Sequence, residues 1–588
     1  MTTRHAVSAA IAAAALVSFV SVSQAIAPPA VRGDHGMVVS GQHLAAEVGN
    51  RILENGGNAI DAAVAASYAL AVVYPCCGNI GGGGFATIRL ADGREIFIDF
   101  REKAPQAATA NMYIGSDGKV VSEESIEGYT AVAVPGTVLG LDTLLTKYGT
   151  MSRQEVMAPA INLARYGFAL RQSDVDYLTI RTDKILKQPN AAAIFLNDGA
   201  PWPVGHRLVQ TDLAATLEAI AENGSDAFYK GPIAEAIVAA SSANDGILTM
   251  ADFESYTVEE RTPVACTYRG YRIAAAAPPS SGGTTLCLIL NIVEGYSLDD
   301  LGYHSAAGIH VIVEALRHAF VDRNFLLGDP DFVHNPVEQL TSKAYAASIR
   351  AKIEPGKAGQ SKGMTPGIAP SKGTETTHLS VMDRDGNAVA LTSSVNYFFG
   401  AGVIAGDTGF FLNNTMNDFT IAPGEPTAGG LIQGANNVIA PGKRPLSSMT
   451  PTIVTKDGDV AMVLGSPGGV RIISIVAQTI MNVIDHGMTI SAAVAGPRIH
   501  HQWMPDEVYM EPFALSADTK AALEAMGYTI VQQRPWGAAQ AISIAEGGEG
   551  HEIQAQFVQD TMVFSRARKG TRLGHSDNRR PTGAAVGH

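Results

Sequence analysis

The chain is poor in several residue types. Of its 588 residues only four are Cys and three are Trp, and charged side chains make up 17%. Four Cys cannot staple a chain of this length, so a disulfide-built scaffold is excluded and a hydrophobic core must hold the fold. No CxxC spacing supports zinc or redox work, because Cys76 and Cys77 are adjacent while Cys266 and Cys287 lie far downstream. Buried free thiols and a single bridge both fit that pattern. Scarce charge beside 46% hydrophobic residues excludes a disordered chain. Basic residues are the minority, 42 Lys and Arg against 56 Asp and Glu, and the formal net charge of −14 argues against nucleic-acid coating. Beyond the N-terminus no run is apolar enough to predict a membrane span.

The N-terminus reads as a secretory leader. Arg4 and His5 precede an apolar, Ala-rich stretch from Ala6 to Val20. Ser23-Gln24-Ala25 and Ala25-Ile26-Ala27 offer small residues for cleavage, followed by Pro28-Pro29. The alternative is an uncleaved anchor, but the stretch is shorter than the about 20 residues a span needs. No twin Arg or nearby Cys suggests another route. The expectation is a signal peptide over residues 1–25, with cleavage after Ala27 as the variant, and an exported protein, periplasmic or secreted.

Length alone suggests about four domains. Glycine is abundant, 61 residues, and clustered. His43 to Asn55 has helical spacing and ends at Gly56-Gly57. Asn58 caps a second helix, Ala59 to Val73, which is apolar on nearly every face and should be buried. Gly81-x-Gly83-x-x-Ala86, with Asp99 beyond it, nominally matches a dinucleotide fingerprint. That fingerprint needs a strand before it and a helix after it. Here a helix precedes, and a hairpin follows: Phe85 to Leu90, a turn at Asp92-Gly93, then Glu95 to Phe100. Residues 154 to 350 read as mostly helical, with Leu213 to Ala221, Pro232 to Ser241 and Ser305 to Phe320 the clearest helices. Pro355 to Glu375, rich in Pro and Gly, reads as a flexible loop. Hairpins follow at Thr377–Met382 with Ala388–Ser394 and at Thr452–Thr455 with Val460–Leu464, then a helix from Val470 to about Asp485. Helices, antiparallel strands and helices again predict a layered α+β architecture.

The chemistry centres on Thr376, where the Pro/Gly-rich loop meets a strand. Cleavage before it would free an N-terminal Thr whose hydroxyl is a nucleophile and whose α-amine is its own base. A free α-amine has a pKa near ~7.7–8.0 and accepts a proton around neutral pH. Gly468 and Gly469 stand just ahead of a predicted helix, where the first N–H groups lack intrahelical partners. His378 and the pair His500-His501 lack metal-ligand spacing and read as structural. Arg566, Arg568 and Lys569 read as a solvated basic face. Nothing calls for a metal or an organic cofactor.

From Thr376 onward the sequence resembles the gamma-glutamyltransferase family of N-terminal-nucleophile hydrolases. The resemblance rests on Thr376 to Val381, Asp385 to Ala390, Leu412-Asn413-Asn414, Asp418-Phe419, Lys443 to Met449, Gly465 to Gly469 and Pro497 to Trp503. Upstream, Gly36 to Ser40, Gly56 to Ala63, Gly81 to Phe85, Asp99 to Glu102, Ala133 to Thr137 and Pro279 to Gly283 continue it in the family's order. It implies an αββα four-layer sandwich built from two pieces of one self-cleaved precursor, a large subunit over 26–375 and a small subunit over 376–588, joined as a heterodimer. It also implies a γ-glutamyl hydrolase or transferase acting on glutathione or another γ-glutamyl compound, with water, amino acids or peptides as acceptors. A cephalosporin-type acylase that cleaves glutaryl groups is the alternative.

The resemblance assigns roles. Thr376 is the nucleophile, released by breaking the Glu375–Thr376 bond, and Ser394 falls where the family has a supporting Thr. The N–H groups of Gly468 and Gly469 form the oxyanion hole, where a donor is typically worth ~2.7–4 kcal/mol. Arg101, Ser447 and Ser448 match positions that bind the donor's α-carboxylate, and Asp418 and Asn396 those that bind its α-ammonium. Thr415 replaces a Gln or Glu that usually helps hold the ammonium. Thr420 to Leu446 lacks an aromatic residue, and Gly429 stands where many bacterial relatives carry an aromatic lid residue. The segment from Ala545 to Arg572 looks longer than usual.

Overall fold

Period-two hydrophobic strands and long apolar helices assemble into four layers. The computed structural model describes residues 28–364, 376–423, 434–545, 553–558 and 561–588, with 553–566 as backbone only. The leader over 1–27, Glu375 and Gly429 lie outside the described residues. Two seven-stranded antiparallel sheets stack face to face. The first runs Ala584–Gly587, Met37–Ser40, Thr377–Met382, Ala388–Ser394, Gly83–Arg89, Glu95–Phe100 and Glu259–Arg261. The second runs Val31–Gly33, Arg572–Ser576, Gln540–Ile544, Asp459–Gly465, Thr452–Lys456, Tyr271–Ala275 and Val264–Tyr268. Both sheets take strands from both sides of Thr376, so the two halves form one layered unit rather than a string of four domains.

Strand alternation decides which face is which. Val38, Leu379, Val381, Val389 and Leu391 point outward into a core shared with the helices His43–Glu54 and Ala59–Val73. Met37, Val39, Met382, Ala388 and Ala390 point inward and meet Ile453, Val463 and Ile542 of the second sheet. The second sheet's outer face packs on Gly282–Val293, Ala306–Leu326 and Ile472–Ile484. Every residue of Ala59–Val73 is buried, and each fully buried Val, Leu or Ile contributes about 1.5–3 kcal/mol. Asn58 caps that helix by accepting from the Ile60 and Asp61 N–H groups, and the Asp61 carboxylate accepts the Asn58 N–H at 2.8 Å. Such a cap is typically worth ~1 kcal/mol.

Several expectations need correction. All four Cys are oxidised, as an adjacent pair Cys76–Cys77 and a second bridge Cys266–Cys287, rather than free or in one bridge. The second bridge joins an edge strand to the helix Gly282–Val293 packed over it. The first hairpin strand begins at Gly83, not Phe85. The helix expected to end at Phe320 continues to Leu326, because Asp322, Arg323 and Asn324 are buried polar residues rather than a solvated terminus. Part of the supposed loop is fastened. The Ala358 N–H donates to Met526 O at 2.9 Å, and Ser361 is fully buried with its N–H on Asp506 Oδ2 at 2.8 Å. Residues 365–375 lie outside the described residues. Within the long segment between Ala545 and Arg572, Ile553–Val558 and Thr561–Arg566 pair as a separate two-stranded hairpin.

Candidate active site

Thr376 immediately precedes the first-sheet strand Thr377–Met382, in the middle of that sheet. The antiparallel register pairs Thr377 with Ser393, so the next step places Thr376 opposite Ser394. Thr376 is buried, and its carbonyl accepts from Arg580 Nη1 at 3.1 Å, which also donates to the Tyr74 hydroxyl at 3.2 Å. The backbone leading to Ser394 is crowded. A Cβ on Gly82 would stand 1.9 Å from the Ser394 carbonyl oxygen, so only glycine lets the two segments approach.

Thr376, Ser394, Asn396, Arg101, Asp418, Ser447, Ser448 and Gly469 line one pocket, together with Arg323, Leu446, Met449, Val470 and Ile472. Expectations drawn from segments more than 350 residues apart in sequence thus meet at one place. Two expected residues do not line it. Gly468 lies directly behind Gly469, and Thr415 is fully buried with its hydroxyl donating to Glu102 Oε1 at 2.8 Å. Thr415 therefore steadies the carboxylate next to Arg101 rather than facing the pocket.

One wall is ionic. The Arg101 guanidinium is 1% exposed and contacts Asp418 through Nη2, Glu102 through Nη1 at 3.2 Å and the Pro445 carbonyl through Nε at 3.2 Å. Burial opposes its charge, but the Glu102 and Asp418 carboxylates outweigh that and hold its pKa above the ordinary value. Asp418 ends the short 3₁₀ turn Thr415–Asp418 and remains partly accessible from the pocket. The preceding Asn413 fastens this turn to the other half of the chain: its amide donates to Gly81 O at 2.9 Å and Ala133 O at 2.8 Å.

Gly469 brings a backbone turn to the pocket. Gly468 has φ 140°, a conformation that side-chain-bearing residues rarely adopt, and it leads into the turn Gly469–Arg471 and the helix Ile472–Ile484. Among the described residues, no backbone carbonyl accepts from the N–H of Gly468 or Gly469. Such paired free donors suit a developing oxyanion. Ser447 and Ser448 also line the pocket, and the Met449 N–H donates to Ser447 Oγ at 3.1 Å. Asn396, at φ 75°, receives its conformation from neighbours: its N–H donates to Ser394 Oγ at 2.7 Å and its amide to Asn414 O at 3.1 Å.

The histidines are structural. His378 lies between the sheets, bonded to Thr392 Oγ1 at 2.8 Å and Ser380 Oγ at 3.1 Å, and burial lowers its pKa to about 3. Ser380 donates its own proton to Gln540 O, so His378 Nε2 carries the proton given to Ser380 and Nδ1 accepts from Thr392. His500 bonds Ser474 and Gln502, and His501 bonds Asp506. Sequence reasoning missed Arg323 and Arg580. Arg580 lies beyond the last motif read from the sequence, and only its basic side chain hinted at a role; Arg323 sat beyond the predicted end of its helix.

An αββα sandwich with a threonine heading a central strand, beside free backbone donors, is the architecture of an N-terminal-nucleophile hydrolase. The family model for gamma-glutamyltranspeptidase matches residues 45–562, and the chain belongs to that family. It is 52% identical over 560 residues, 95% of each chain, to a glutathione hydrolase proenzyme of Pseudomonas sp. (strain A14). It is 46% identical over 555 residues, 92% of this chain and 96% of the relative, to the glutathione hydrolase proenzyme of Escherichia coli (strain K12). Its structure resembles the crystal structure of a cephalosporin acylase from Bacillus halodurans with a TM-score of 0.80 at 28% identity, covering 97% of this chain and 98% of that one.

Proposed function

We propose that this chain is a self-processing γ-glutamyl hydrolase and transferase that uses Thr376 as its nucleophile and acts on glutathione-like donors. One observation carries the reading: Arg101 and Asp418 present opposite charges in the pocket that holds Thr376. A γ-glutamyl group bears an α-carboxylate and an α-ammonium on one carbon. It can exchange the internal ion pair for two matched ones, its carboxylate on Arg101 and its ammonium on Asp418 and Asn396. A glutaryl group has no ammonium and would leave Asp418 without a new partner, at the cost of an unpaired buried charge.

The chemistry follows from the placement. In the precursor the Thr376 hydroxyl attacks the preceding carbonyl, the acyl group shifts from nitrogen to oxygen and so frees the α-amine, and water hydrolyses the resulting ester to release the upstream piece as a carboxylate and restore the Thr376 hydroxyl. In each later cycle the amine takes the hydroxyl proton as the oxygen attacks the donor's γ-carbonyl. The N–H groups of Gly468 and Gly469 meet the resulting oxyanion, with Ser394 beside the nucleophile. Collapse expels the donor's amine, which takes the proton and leaves a glutamyl ester on Thr376. Water, an amino acid or a peptide then attacks that ester and restores the hydroxyl. The two products of self-cleavage, 26–375 and 376–588, stay together because both sheets interleave their strands. Export follows from the leader composition of residues 1–25; among the described residues no helix is long and apolar enough to cross a membrane.

Turnover of γ-glutamyl and glutaryl anilides by the same preparation tests the substrate. The γ-glutamyl anilide should be strongly preferred. Equal or faster glutaryl turnover would assign the pocket to the acylase reading, which the Bacillus halodurans structure keeps relevant.

A further inference from the structure

Arg323 is the second arginine of the pocket, and the chemistry above does not use it. It lies near the end of the helix Ala306–Leu326 and is 3% exposed. Among the described residues no carboxylate pairs with it. Instead its three nitrogens reach neutral oxygens: Nε donates to Ser281 Oγ at 3.1 Å, Nη1 to Asn324 Oδ1 at 2.9 Å and Nη2 to Ser448 Oγ at 2.8 Å. A buried cation without a counter-ion is costly, and burial lowers this one's pKa to about 10 despite the charge of Asp418. Such a group is retained where an anion arrives to complete it.

Its contacts also determine what the two serines can do. A hydroxyl has one proton and two lone pairs. Ser448 Oγ accepts from Arg323, and Ser447 Oγ accepts from the Met449 N–H. With an incoming donor fixed on each oxygen, each hydroxyl proton is left for the pocket. Arg323 also holds Ser281, whose hydroxyl donates to the Ser447 carbonyl at 2.6 Å, so a single guanidinium braces both residues of the serine turn. We propose that Arg323 is a positioning residue for the donor's α-carboxylate. It orients Ser448 as a hydrogen-bond donor, fixes the Ser447–Ser448 turn, and supplies a second positive charge behind the carboxylate held by Arg101. This rests on the γ-glutamyl reading of the pocket.

The test compares two anilides that differ only in the α-carboxylate: γ-glutamyl p-nitroanilide and 4-aminobutyryl p-nitroanilide. The wild type should favour the first; no preference would refute the carboxylate reading itself. If that preference exists, Arg323→Gln should raise KM for the γ-glutamyl anilide about tenfold with kcat little changed, as expected for losing a charge-assisted contact. The 4-aminobutyryl anilide should change less than about twofold, so the preference shrinks about tenfold. Ser448→Ala should shrink it similarly, and the double variant should add little, because the two residues act through one contact. Arg323→Lys, which keeps the charge without the fork, should fall between. Equal losses on both anilides in Arg323→Gln, or an unchanged preference, would overturn the inference and leave Arg323 a packing residue. If Arg323→Gln does not fold or process, Arg323→Lys and Ser448→Ala decide by the same ratio.

Discussion

Two of the clusters of buried charge among the described residues differ in whether they are closed. At one end of the second sheet, Arg498, Asp577, Arg579 and Glu511 satisfy one another and the backbone around them. Arg498 pairs with Asp577 and donates to Trp536 O at 2.7 Å; Arg579 Nε donates to Glu511 Oε1 at 2.8 Å. Glu511 also accepts the Arg498 and Trp536 N–H groups, and Asp577 accepts the Ala539 N–H. In the pocket, Arg101 and Asp418 pair with each other yet both line the cavity, and Arg323 meets no carboxylate among the described residues. The closed cluster holds shape. The open one keeps interactions available for a ligand, at a cost in stability that a purely structural network need not carry.

The sharpest break between structure and chemistry is Thr376→Ala, which touches neither cluster. It should abolish chain cleavage on a denaturing gel and lower γ-glutamyl turnover by about 10³-fold or more, with thermal unfolding nearly unchanged. The closed cluster comes next. Asp577→Asn strands Arg498 and should cost about 3–5 kcal/mol of stability in denaturant unfolding. Its pocket counterpart, Asp418→Asn, should behave oppositely. Arg101 keeps Glu102, so the stability loss should be smaller, while kcat/KM for a γ-glutamyl anilide should fall by about 10–150-fold, the worth of one charge-assisted bond. If Asp577→Asn were tolerated and Asp418→Asn unfolded the protein, the contrast between the clusters would be wrong.

The smallest effect concerns pH. Burial holds His378 neutral in the folded protein down to about pH 3, against an ordinary value of 6.5. Between those values the unfolded chain binds the extra proton. The stability from a neutral His378 is therefore complete above about pH 6.5 and is lost progressively as pH falls toward 3. In His378→Asn the slope of unfolding free energy against pH should be shallower across that window, by up to ~1.4 kcal/mol per pH unit. An unchanged slope would show that His378 is already charged in the folded state.

Much of this was legible in the sequence, for physical reasons that differ from place to place. The strands Thr377–Met382 and Ala388–Ser394 were readable to the residue because one face is apolar toward helices and the Asp385-Gly386-Asn387 turn fixes their ends. The helix Ala59–Val73 was equally clear, being capped and apolar all round. The end of the helix that carries Arg323 was not. A run of Asp322, Arg323 and Asn324 looks like a solvated terminus, and only tertiary contacts with Tyr345, Ser281 and Ser448 make it interior. Thr415 was named only from its family position, as a replacement for a Gln or Glu, and sequence does not show that its hydroxyl is taken up by Glu102. The two bridges escaped because linear spacing does not place Cys266 against Cys287. Site residues came mainly from family motifs, since neither spacing nor composition shows that Arg101 and Asp418 meet.

The central claim is that the chain cuts itself before Thr376 and then uses the freed residue as its nucleophile. Intact mass and N-terminal sequencing of the purified, active protein test it together. The account predicts two chains, the smaller beginning Thr376-Thr377-His378 and gaining one glutamyl group when a γ-glutamyl donor is trapped on the enzyme. A fully active single chain, or a smaller fragment with a different first residue, would contradict it.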